Sequence, residues 1–131
     1  SSRKAVVKAG KPVTAEQVSA SLNAGRLLEA KQLAEAYLRH GGADAGKLLT
    51  NIEQRMKTEA VHVFARGSHS FRHEQLAKAI DDWSRAVALQ PDEGEYREAL
   101  HRAEQMQERL SVLRGKTESP PSTASEQQGV E

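Results

Sequence analysis

Gly67-Ser-His-Ser-Phe-Arg-His-Glu-Gln-Leu-Ala-Lys-Ala-Ile-Asp-Asp-Trp-Ser-Arg-Ala-Val-Ala-Leu-Gln-Pro91 decides the fold of this chain. It sets Gly67, Ala79, Trp83, Ala86 and Pro91 at spacings that suit two antiparallel helices. Small residues let two backbones approach, and the indole of Trp83 fills the space between them. Pro91 ends the second helix, because proline lacks an N–H and disfavours helical backbone in the residue before it. The expectation is an all-α chain built from helical hairpins.

Working upstream, the third helix of the chain begins near Ala43 or Asp44 and carries Leu48, Leu49, Ile52 and Met56 at helical spacing. Nothing interrupts it before Gly67, and a glycine inside a helix costs only about 1 kcal/mol relative to alanine. One long helix from about 44 to 72 follows. Its first half is expected to cover an N-terminal hairpin and its second half to enter the quoted stretch. That hairpin begins at Thr14-Ala-Glu-Gln17, a capping-box pattern, continues through Val18 and Leu22, and turns at Gly25. Its second helix runs from about Arg26 to His40, with Leu27, Ala30, Leu33, Ala34, Tyr37 and Leu38 on one face and Gly41-Gly42 closing it.

Downstream, a fourth helix spans about 75 to 90. Pro91-Asp-Glu-Gly94 is a turn, and a fifth helix runs from about Gly94 to Leu113 with Tyr96, Ala99, Leu100, Ala103, Met106 and Leu110 as its stripe. Its other faces are rich in Glu, Arg and Gln, which suits a terminal helix with one face on the stack. The domain organisation is a flexible basic arm over 1–12, a helical domain over 13–114 and a disordered tail over 115–131. The tail's Thr-Glu-Ser-Pro-Pro-Ser composition is too polar to form a core.

The 131 residues suit one small domain, and abundant Ala with sparse Leu, Ile, Val and Phe favours closely packed helices. A net charge of +1 with 28% charged residues gives a mixed surface, without the concentrated basic face that nucleic-acid binding needs. The absence of cysteine excludes disulfides, thiol catalysis and thiolate zinc sites. No apolar run approaches the roughly 20 residues that cross a bilayer. The start at Ser1 rather than Met suggests a piece of a longer protein.

From about Ala60 to Glu93 the chain resembles a tetratricopeptide repeat of ~34 residues, with Gly67, Ala79, Trp83, Ala86 and Pro91 at the family's small, aromatic and proline positions. Val63 and Arg66 stand where an aromatic and a leucine are usual, and Ser70 where a tyrosine is. The Thr14–His40 hairpin resembles a degenerate repeat. The resemblance implies a short solenoid of about five helices and a noncatalytic scaffold that holds a partner peptide or helix in a groove. It places Val61, Phe64, Ser68, Phe71 and Arg72 on that groove, with Arg102 opposite on the fifth helix. Phe64 and Phe71 beside the two arginines would suit a segment with an apolar anchor and an acidic group. The alternative is that both rings pack against the N-terminal hairpin. The resemblance also points to a bacterial envelope or secretion-associated assembly, periplasmic in setting. Self-association of exposed ends, a homodimer through the Ala- and Leu-rich hairpin above all, is the competing function.

Candidate chemistry is sparse. His69 and His73 share a helix face, but two ligands make a poor metal site, and they read as solvated or groove-lining. His62 and His101 have no neighbouring Ser or Asp arrangement. Asp81 and Asp82, adjacent on a helix, point about 100° apart and read as surface charge. Without a nucleophile, base and phosphate loop, neither an enzyme nor a cofactor is expected.

Overall fold

The structure, a computed structural model, describes residues 12–117. The arm expected over 1–12, except Pro12, and the tail after Thr117 lie outside the described residues. Five helices form: α1 (Ala15–Asn23), α2 (Leu27–Arg39), α3 (Ala45–Arg72), α4 (Leu76–Leu89) and α5 (Gly94–Thr117). No strand occurs among the described residues. The fold is all-α, and the main packing runs between consecutive helices, α1 on α2, α2 on α3, α3 on α4 and α4 on α5.

Local chemistry sets the boundaries. Thr14 accepts a hydrogen bond from the Gln17 amide at 3.2 Å while the Gln17 side chain accepts from the Thr14 amide at 2.9 Å, so two donors at the start of α1 are satisfied together. α1 and α2 each end with a glycine in the left-handed region, Gly25 at φ +80° and Gly41 at φ +75°. α3 has no breaker over its 28 residues and runs without interruption through Gly67. α4 stops at Leu89, two residues before Pro91. α5 extends past the expected end at Leu113 to Thr117, because nothing in Arg114-Gly-Lys-Thr117 forbids helix.

The core has two parts. The larger gathers Val13 and Val18, then Leu27, Ala30, Leu33, Ala34 and Ala36 of α2, with Ile52, Met56, Ala60 and Val63 of α3, and Ala86, Leu89 and Tyr96. The smaller surrounds Trp83 with Ala99 and Ala103 of α5. The first half of α3 thus covers the N-terminal hairpin and its second half receives α4, as its spacing implies. Phe64 packs against both parts and joins them.

Gly67 and Trp83 fix how α3 and α4 meet. A β-carbon on Gly67 would stand 2.5 Å from Trp83 Cδ1 and 2.6 Å from its Nε1. The indole is 5% exposed, and its Nε1 donates to the Phe64 carbonyl of α3 at 3.0 Å. A hydrogen-bonded ring cannot slide away from an added methyl. Gly67→Ala is therefore expected to destabilise the chain, its overpacking cost of about 1–3 kcal/mol exceeding the helix-propensity gain. Gly46→Ala, in the same helix with nothing within 4 Å of the new carbon, should stabilise by up to about 1 kcal/mol. Thermal unfolding of the two variants checks the opposite signs.

Candidate functional site

The α3 residues expected on a groove, Val61, Phe64, Ser68, Phe71 and Arg72, share one side of the helix by spacing and differ in exposure. Val61 is 58% exposed on α3, and Arg72 and Arg102 are exposed. Ser68 is half-buried and its hydroxyl donates to the Phe64 carbonyl at 3.0 Å, so it is turned onto its own helix. Phe64 is half-buried, stacked on Trp83 at 5.6 Å and tilted against Tyr96 at 4.6 Å. Phe71 lies 5.3 Å from Trp83. The alternative expectation, both rings on the N-terminal hairpin, is corrected for Phe71: it packs with the Trp83 cluster at the other end of the domain. The reason is the indole, whose large face between α3 and α4 gives both phenylalanines an aromatic partner at the offset distances such rings favour.

Of the expected residues, Phe71 lines an apolar cleft. Together with Glu74, Leu76, Met106 and Leu110 it encloses a space of about 430 Å³. Helix lengths explain it. α4 has 14 residues and α5 has 24, lengths of about 21 and 36 Å, so α5 outruns its neighbour. Every residue from Gln107 to Gly115 is exposed, including Leu110, Val112 and Leu113. A second depression continues from Leu76 and Ala77 along Glu104, Glu108, Leu110 and Val112. Met106 and Leu110 were expected on the packed stripe of α5. The stripe continues after its partner helix has ended, a mismatch that the two helix lengths already contain.

Glu74 marks the cleft in a second way. α3 ends as α1 and α2 do, in a Schellman motif: the Gln75 amide donates to the Ser70 carbonyl at 2.8 Å and the Glu74 amide to that of Phe71 at 3.1 Å. The equivalent bonds run from Arg26 to Ser21 and Gly25 to Leu22, and from Gly42 to Tyr37 and Gly41 to Leu38. The left-handed position is glycine in the first two ends but Glu74, at φ +62°, in the third. A carboxylate thus stands at a strained position on the rim of the cleft.

Opposite the cleft, Arg66 grips Asp82 of α4 through three hydrogen bonds of 2.9–3.2 Å. Asp82, expected as plain surface charge, is instead an inter-helix partner. The hydrogen bonds and charge of Asp82 raise the Arg66 pKa. That contribution is complete below the ordinary arginine range and is lost only as pH rises beyond it, so it adds no pH dependence near neutrality. With Arg66 62% exposed, water screens the pair to about 0.2–1 kcal/mol. No group of three or more metal-ligating side chains occurs among the described residues.

Glu74→Gly relieves about 1–2 kcal/mol of left-handed strain against about 0.4–1 kcal/mol of added unfolded-chain freedom, so unfolding should report a net gain of up to about 1 kcal/mol. Tyr96, buried beside Phe64, has its pKa raised by burial first and then by Glu93 and Glu95. The folded state keeps the phenolic proton to higher pH than the unfolded state does. Stability present below the ordinary tyrosine range is therefore lost as pH rises through the folded value. Melting temperatures above about pH 10 should fall less steeply for Tyr96→Phe than for the parent chain.

Compared with known protein families, curated proteins and solved structures, the chain matches none.

Proposed function

We propose that this chain is a noncatalytic protein–protein interaction scaffold that holds a partner peptide or helix in the cleft between α3, α4 and α5. The observation that carries the reading is the apolar lining of Phe71, Leu76, Met106 and Leu110, with strained Glu74 on its rim. A stability-optimised chain would place glycine at that turn, as it does at the ends of α1 and α2. Consecutive packing of the helices and the Gly67–Trp83 contact support a tetratricopeptide-like arrangement. The bacterial envelope setting is supported by sequence resemblance alone.

The rim specifies the partner's chemistry. Glu74, Glu104 and Glu108 border the cleft and its extension, with Arg114 at the far end. The preferred ligand is an apolar anchor flanked by Lys or Arg, rather than the acidic segment suited to Arg72 and Arg102, which do not line this space. An amphipathic helix meets that need by placing its anchors at i and i+3 or i+4.

Self-association is the second reading, favoured by the exposure of Leu110, Val112 and Leu113 on the overhanging part of α5. It adds the overhang of α5 to the N-terminal hairpin as a candidate self-contact, for Leu28 and Leu38 of that hairpin are exposed while Leu27, Ala30 and Leu33 are buried.

Selection of displayed peptides on the immobilised chain tests the first reading. Selected sequences should share an apolar anchor with basic neighbours, and Leu110→Glu should weaken them by roughly tenfold or more. Val61→Glu, at an exposed position outside the cleft, should leave them unchanged. Loss with Val61→Glu but not Leu110→Glu returns the site to the groove on α3. A Leu110-dependent dimer in sedimentation, with no peptide selected, establishes self-association instead.

A further inference from the structure

On the side of α3 away from the cleft, His69 and His73 have ring centroids 4.3 Å apart with their planes at 44°. Both are exposed, and the spacing of four residues places them one above the other on the last turns of the helix. We propose that the two imidazoles form a clamp for a divalent transition-metal ion that accepts nitrogen ligands at near right angles, Cu²⁺ or Ni²⁺.

The ring separation carries the inference. With metal–nitrogen bonds of about 2.0–2.1 Å, a ring centroid stands about 3.2 Å from a bound ion, so right-angled ligands have centroids about 4.5 Å apart and tetrahedral ones about 5.2 Å. The observed 4.3 Å brings both rings within reach of one ion. Cu²⁺ and Ni²⁺ favour square-planar or tetragonal nitrogen sites, whose neighbouring ligands meet at right angles, and Cu²⁺ heads the affinity order for such donors. Two histidines at i and i+4 on a helix supply two of the metal ligands in the H-E-x-x-H motif. The helix end adds to the attraction: the carbonyl end of α3 carries partial negative charge, and His73 is its C-cap residue. The remaining coordination positions face solvent and are filled by water or by a ligand from outside.

Calorimetric titration of the full chain with CuCl₂ in a non-chelating buffer tests this. One ion per chain is expected at this site. His69→Gln and His73→Gln should each weaken it by roughly tenfold or more, because the second imidazole is already held beside the first. His62→Gln should change nothing, and the electron paramagnetic resonance spectrum of the Cu²⁺ adduct should show two coordinated nitrogens that the double variant lacks. Both positions are exposed, so circular dichroism should show the variants folded. Cu²⁺ binding unaltered in the folded double variant, or no binding by the parent chain, overturns the proposal.

Discussion

The seating of Trp83 on Gly67 is the contact on which the C-terminal half depends. It demands a residue without a side chain on α3 and a ring on α4, and the Nε1 bond to the Phe64 carbonyl fixes the ring's rotation. Phe64 and Phe71 take their positions from the indole, and Tyr96 takes its own from Phe64. Ala99 and Ala103 then let α5 lie close to the same ring. A smaller ring would leave these small residues facing a void, and close-packed interiors are penalised for voids.

That constraint also produces the cleft. Once α4 is seated by Trp83, its start at Leu76 fixes where α5 loses its neighbour, between Met106 and Leu110. Beyond that level the apolar residues of α5 are exposed, with only the start of α4, at Leu76 and Ala77, beside them. Phe71 forms the wall because it is the next aromatic on the face of α3 that Phe64 and Gly67 begin. The site is a consequence of unequal helix lengths, with side chains that elsewhere in the stack would be core.

Much of the fold is legible in the sequence because its signals are local. The Thr14–Gln17 box, Gly25, Gly41 and Pro91 each act within a few residues, and the unbroken run from Ala45 announces one long helix. The end of α3 falls at the expected place, but that Glu74 takes the left-handed turn which glycine marks elsewhere is not announced by its residue type. The reach of α5 past Leu113 is obscured by Gly115, which a solvent-exposed helix tolerates. The candidate site is legible only in pieces. Phe71 is identifiable from the repeat pattern, but its partners Leu76, Met106 and Leu110 come from two other helices. Their meeting depends on how α4 and α5 stagger, which no single-helix periodicity encodes. The Arg66–Asp82 pair escapes for the same reason: it joins residues sixteen apart across a hairpin.

The last turns of α3 serve two faces at once. Successive helical positions differ by about 100°, so Phe71 projects opposite both His69 and His73. One face builds the cleft wall, and the other carries the paired imidazoles and, one turn earlier, the Arg66–Asp82 link to α4. Both faces share a backbone whose final carbonyls are held by the amides of Glu74 and Gln75. The end of α3 is thus where the two surfaces are physically joined.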